Sequence, residues 1–325
     1  MSVSSDPWKE VGSVEDLILS LGCVMPIFLL ICFGCLIRCT ALFPPEVFDQ
    51  LSSLCFRFLI PCLLFYNIYN SDLTSTISPG LLTFLVGQLL IWFLFNYILF
   101  TRTQPDHRRR GAYIQAAYRS NIAVIGVTLA QSMMTPGGVA AVTMAVAILV
   151  PIYNVLAVIT LETCRGGQVA FAQTAKSIAK NPLIISCALG IAALVLGIEL
   201  PTQVESAIRD LGSAGSTLTL VALGASLRLQ GLHSNVGQLV WCSLYRLVAA
   251  PLVALTAAAL LGFRGDALAT VLVCTAAPMA SSSFPMALAY DSDHELTGQV
   301  IVTTAVFCSF TLFLWIFLLK RAGLI

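Results

Sequence analysis

Ten apolar stretches, each about as long as a bilayer is thick, decide what this chain can become. They fall at roughly 16–38, 47–70, 79–101, 111–133, 137–162, 179–198, 204–228, 237–262, 267–290 and 295–319. Crossing a ~30 Å hydrocarbon core takes ~20 mostly apolar residues. The stretches are too long for strands and lack the alternation of a membrane barrel. In lipid a spanning backbone must satisfy its own hydrogen bonds, so the stretches read as helices. Ten spans take about 200 residues, which leaves short loops and no room for a sizeable soluble domain. Composition agrees, with 58% hydrophobic and 10% charged residues, where a soluble domain carries about 25% charged. The same balance excludes a disordered chain. With 17 basic against 16 acidic residues, nothing suggests a nucleic-acid partner.

The N-terminus carries Asp6, Glu10, Glu15 and Asp16 against Lys9. The apolar run that follows, 17–37, is too long for a signal-peptide core, so it reads as the first membrane helix. Most of the eleven cysteines lie in apolar runs, where cysteine behaves as a small hydrophobe. Cys32 and Cys35 share such a run, which favours a helix face over a redox or zinc motif. Cys39 and Cys164 lie near helix ends.

Lys and Arg in the loops set the orientation. Arg102, Arg108, Arg109 and Arg110 follow the third span, and Arg165, Lys176 and Lys180 follow the fifth. Both connections are expected in the cytoplasm, which puts both termini outside the plasma (inner) membrane. Arg264, Lys320 and Arg321 run against the rule. The connection after the fifth span divides the chain into a first repeat, 1–163, a cytoplasmic linker, 164–178, and a second repeat, 179–325. Five spans per half force opposite orientations, the inverted repeat common in secondary carriers. A short echo between 139–146 and 300–307 fits this reading.

The fourth and ninth spans are the least comfortable in lipid. Arg119 lies about nine residues inside the fourth, or ~13 Å at ~1.5 Å per residue. A charge at that depth marks a functional site by default. Ser120 and Asn121 follow, and both are poor in a helix interior. In the ninth, Pro278 and Pro285 bracket Ser281, Ser282 and Ser283. Each proline removes a helix donor and frees a carbonyl, which is tolerated at membrane depth only inside protein or beside a wet cavity. Interrupted segments at matching places in two halves point to a carrier's binding site. Broken helices there bring N-terminal ends together, and with Arg119 beside them the site should favour an anion, a planar carboxylate above all. The alternatives are a kink that serves packing and an Arg119 that only ties domains together. No Asp or Glu lies mid-span, so a carboxylate proton relay or sodium site is not visible. No cofactor is expected, and the coupling ion is left open between proton and sodium.

At these residues the chain resembles the auxin efflux carrier family in its bacterial form, within the bile acid, arsenite and riboflavin transporter superfamily. The resemblance rests on Phe58-Leu-Ile-Pro-Cys-Leu-Leu-Phe65, Arg119-Ser-Asn-Ile-Ala-Val-Ile-Gly126, Ile152-Tyr-Asn-Val155, Lys180-Asn-Pro182, Leu223-Gly-Ala-Ser-Leu227 and Ala276-Ala-Pro-Met-Ala, with Ala289 and Tyr290 beyond. It implies a secondary carrier of organic anions such as auxin, malate or malonate. It further implies a bile acid sodium symporter-like fold, with helices 1, 2, 6 and 7 as scaffold and possible homodimer interface. Helices 3–5 and 8–10 would form a transport domain that moves like an elevator, with helices four and nine broken where they cross. Asn121 matches the family's crossover asparagine and Pro278 its ninth-helix proline, while Ser120 stands where the fourth-helix proline would be.

The fold expectation is thus an all-α polytopic membrane protein of ten helices in two inverted repeats. The expected substrate-binding set is Arg119, Ser120, Asn121, Asn154, Ser281, Ser282, Ser283 and Asn67, with Pro278 and Pro285 at the breaks. The expected partners are a small organic anion, the bilayer and a second copy. Arg246 reads as structural, while Arg57 fits either role. Asn181-Pro182 reads as a helix start. Ser213, Ser216, Thr217, Thr303 and Thr304 are weak cation candidates. Rival readings are a sodium-coupled symporter of an amphipathic anion, a channel or receptor, and last a membrane enzyme. The enzyme ranks last because His107, His233 and His294 all fall in predicted loops.

Overall fold

A computed structural model describes residues 13–70, 78–165, 171–227 and 232–325, without the side chains of 13–20, Cys23, Val124, 171–174 and 232–234. Asp6, Lys9 and Glu10, and the side chains of Glu15, Asp16, Cys23 and His233, therefore lie outside the described residues. Every named element is helical: α1 (Ser13–Cys39), α2 (Pro45–Leu54), α3 (Ile60–Tyr69), α4 (Pro79–Thr103), α5 (His107–Tyr118), α6 (Val127–Met133), α7 (Pro136–Cys164) and α8 (Phe171–Lys180). Then follow α9 (Pro182–Val195), α10 (Thr202–Ser226), α11 (Leu232–Leu244), α12 (Ala250–Leu260), α13 (Asp266–Ala276), α14 (Ser283–Ala289) and α15 (His294–Arg321). Single π turns at 55–59 and 245–249 join α2 to α3 and α11 to α12, and a third at 122–126 leads into α6.

Local chemistry explains the helix starts. Ser78, Thr135 and Asn181 each sit just before a proline, and each side chain accepts a backbone N–H in the first turn. The polar cap satisfies one orphan donor, and proline at the first position gives up an N–H that no carbonyl needs. Asp293 caps α15 in the same way. Asn181 is thus the helix start that its sequence suggested.

Among the described residues, five continuous helices are long and apolar enough to cross a membrane: Pro45–Tyr69, Pro79–Thr103, Pro136–Cys164, Asn235–Leu260 and His294–Arg321. Val24–Cys39, Pro182–Val195 and Asp266–Ala276 are shorter apolar helices. The connections gather at two ends. At one, Arg108 pairs with Asp291 at 2.9 Å and Arg109 with Asp293 at 3.3 Å, so the acidic stretch after α14 neutralises the arginines in the first turn of α5. At the other, Gly265 N–H donates to Leu324 O at 2.9 Å, and Leu200 N–H to the Tyr69 hydroxyl at 2.9 Å.

α1, α3, α9 and α10 pack as one group. A Cβ on Gly34 would lie 2.1 Å from Val221 O, and one on Gly224 2.0 Å from Ile31 O, so α1 and α10 meet backbone to backbone. Small residues allow that approach where lipid offers no hydrophobic driving force. α4, α5, α7 and α11–α15 surround a second core that runs from Leu85 through Ile114, Val271 and Leu272 to Leu312, all fully buried. Cys35 is half-buried and donates to Gly224 O at 3.2 Å, while Cys32 on the same helix is exposed. Cys164 is buried and Cys39 exposed.

Candidate functional site

The site is built where two helices stop halfway. α13 ends at Ala276 because Pro278 forces Ala277 extended, at φ −67°, ψ 152°. α5 ends at Tyr118 with no proline nearby, and Arg119 turns extended at φ −83°, ψ 103°. The two extended pieces pair with each other. Ser120 and Met279 form an antiparallel bridge, Asn121 N–H donates to Pro278 O at 2.9 Å, and Ala280 N–H donates to Arg119 O at 3.2 Å. Backbone pairing across the crossing therefore does at Ser120 what a proline would do. Met279 N–H is taken by the Thr304 hydroxyl at 3.2 Å, which gives Thr304 a structural task rather than a cation.

Two buried arginines flank the crossing. Arg246 projects from the π turn at 245–249 and is 2% exposed. Its Nε donates to Ala277 O at 3.0 Å, and its Nη1 reaches Ala117 O and Tyr118 O at 3.5 Å each. It thus meets the C-terminal ends of both α5 and α13, where helix dipoles gather negative charge. Trp92 Nε1 also donates to Ala117 O, at 3.0 Å. These bonds tie Arg246 to the backbone at both breaks, while its Nη2 is buried without a partner among the described residues.

Arg119, also 2% exposed, sits about 18 Å along from the start of α5 at ~1.5 Å per residue. Its Nη1 donates to Gln115 Oε1 at 3.1 Å and to Met286 Sδ at 2.8 Å, and its Nη2 to Asn154 Oδ1 at 2.7 Å and Ser282 Oγ at 3.0 Å. All four acceptors are neutral. No ion pair involves Arg119 among the described residues.

A cavity of about 60 Å³ lies against this charge. Arg119, Ser120 and Asn121 line it from the fourth segment, Asn154 with Tyr153 from α7, and Ser281 and Ser282 from the ninth. Ile60, Leu63 and Leu64 of α3 and Ser216 and Thr219 of α10 close the opposite wall. Six of the eight expected site residues thus meet in one place. Two do not. Ser283 is fully buried, its hydroxyl finds no partner among the described residues, and it does not line the cavity. Its place as the first residue of α14 turns it into the protein. Asn67 is half-buried on the last turns of α3, beyond the cavity wall that Leu64 ends. Pro285 also departs from expectation. The break occupies 277–282, and Pro285 lies in the first turn of α14, where its missing N–H costs nothing.

Sequence reasoning missed Gln115 and Met286. Gln115 stands one helical turn before Arg119, a spacing that signals a side-chain pair. Met286 gave no signal. Arg57 opens instead on a separate and larger cavity of about 560 Å³.

The profile of the membrane transport protein family matches residues 20–181 and 168–316. The chain belongs to this family, that of the auxin efflux carriers. It is a multi-pass membrane transporter. It is also similar to an uncharacterized transporter of Methanocaldococcus jannaschii, 26% identical over 211 residues that cover 63% of this chain and 67% of that protein.

Proposed function

We propose that this transporter is a secondary carrier of a small organic anion, a mono- or dicarboxylate of the auxin or malate and malonate kind, bound at the crossing. The observation that carries the reading is the Arg119 guanidinium, buried beside a cavity and held only by neutral acceptors. A buried charge without a counter-ion is costly in a membrane, and a carboxylate is the ligand that relieves it best through a two-point contact. The start of 122–133 adds unpaired N–H groups and partial positive charge. Asn121, Ser120 and Ser281 supply hydrogen bonds around the anion. Arg246 neutralises the opposite, C-terminal ends, so the field at the cavity stays positive.

Transport requires the cavity to change. At about 60 Å³ it is far below the ~300–1,000 Å³ of small-molecule sites. Its far wall is α3 and α10, while the binding groups stand on the fourth, fifth and ninth segments. Sliding the second set past the first, as an elevator, opens the site to one side and then the other. In this reading the ten helices form inverted repeats, 1–163 and 179–325. The scaffold helices 1, 2, 6 and 7 stay fixed and offer a homodimer face, and both termini lie outside the plasma membrane. The substrate class supposes no cofactor, and coupling to proton or sodium follows from the test.

The test is thermal stability of the detergent-purified protein against a panel of mono- and dicarboxylates, with and without sodium, at two pH values. A ligand at about 100 times its dissociation constant adds about 2.7 kcal/mol. Stabilisation by one carboxylate class identifies the substrate. A shift only with neutral or cationic solutes overturns the anion reading.

A further inference from the structure

The 560 Å³ cavity lies at the end of the molecule that carries Asp291 and Asp293, and it stands apart from the crossing. Arg57, Arg165, Lys176 and Lys180 line it from the second span, the end of α7 and α8. Glu162 is the one acid among its lining residues, and its carboxylate already accepts the Ser177 hydroxyl. None of the four cations makes an ion pair among the described residues. The sequence 166–170, outside the described residues, holds no Asp or Glu that would supply one. Arg57 is the telling member. It projects from the π turn at 55–59, a local distortion that re-aims a side chain and recurs at functional sites. Its neighbour Phe58 is 63% exposed on the apolar surface, and Arg57, also exposed, lines the cavity.

We propose that this basic vestibule is a second anion site, for a small soluble anion with two or three negative charges such as a di- or tricarboxylate or a phosphorylated metabolite. Four cations facing one acid match that charge, and the volume falls within the ~300–1,000 Å³ of small-molecule sites. Clustered fixed charge in a concave, low-dielectric wall also raises the local anion concentration. The assignment goes beyond the carrier reading and does not depend on Arg119.

The probe is citrate, titrated calorimetrically against the full chain in nanodiscs of neutral lipid at low salt, with inorganic phosphate as a second probe. Saturable binding is expected, at least tenfold weaker in Arg57→Gln and in Lys180→Gln, largely retained in Arg57→Lys, and unchanged in Asn121→Ala. No citrate binding by the wild type, or wild-type affinity in Arg57→Gln, overturns the proposal. Loss in Asn121→Ala but not in Arg57→Gln moves the site to the crossing and overturns it too. Repeating the titration in phosphatidylglycerol nanodiscs separates a soluble ligand from a lipid headgroup. Affinity within threefold of the neutral discs supports the vestibule as a solute site, and abolished binding assigns it to lipid instead.

Discussion

Arg119 and Arg246 are equally buried, lie on the same crossing and carry the same charge, yet their partners differ in kind. Arg246 is bonded to backbone carbonyls at two helix ends. Those oxygens exist whatever side chains surround them, and breaking the helices makes them available. Arg119 is bonded to four side chains and stands against a cavity. One arginine ties together the ends of two broken helices, and the other is held by side chains beside a cavity, where a ligand can compete for it. The partner's chemistry, rather than depth in the membrane, separates a structural charge from one open to a ligand.

The largest effect that sharpens this comparison is on stability. Hydrogen bonds to charged groups contribute about 1.5–3 kcal/mol each when well made, and Arg246→Met strips the carbonyls of α5 and α13 together. We expect it to lower stability by about 3 kcal/mol or more, read as the melting temperature in detergent. A change under about 0.5 kcal/mol, the size of an ordinary surface substitution, would break the distinction.

Next is Arg119→Ala, expected to reduce carboxylate uptake into proteoliposomes at least about 100-fold, which corresponds to about 2.7 kcal/mol, while melting higher than Arg246→Met. Equal losses of stability in the two variants would make both arginines structural. Asn121→Ala removes one neutral hydrogen bond to the anion, worth about 0.5–1.5 kcal/mol. Uptake kinetics should show a loss of up to about tenfold. Ser283→Ala is the smallest. Its hydroxyl is buried without a partner among the described residues, so removal should leave uptake unchanged and stability unchanged or slightly raised. A large drop in uptake would return Ser283 to the site.

The breaks were legible because polar residues and proline inside an apolar run have few places to go in lipid. Arg119, Ser120, Asn121 and Pro278 announced both interruptions, and the structure pairs them across the crossing. Helical phase beyond a break was not legible. No periodicity continues through 277–282, so three adjacent serines looked alike, and only Ser281 and Ser282 face the cavity. Proline gave two equal signals as well, but Pro278 breaks the helix and Pro285 fits the first turn of the next. The π turns under Arg57 and Arg246 left no mark in the sequence, since they shift hydrogen bonds without a breaker residue. α8 was equally hidden, lying in a stretch too polar to read as a span.

The most direct measurement of the central claim compares carboxylate-induced stabilisation in the wild type and Arg119→Ala, using the carboxylate that gives the largest shift. The wild type should shift clearly upward, and the variant, still melting cooperatively, should not shift. A folded Arg119→Ala stabilised as strongly as the wild type would contradict the claim, since the anion would then be held without the one charge that faces the cavity.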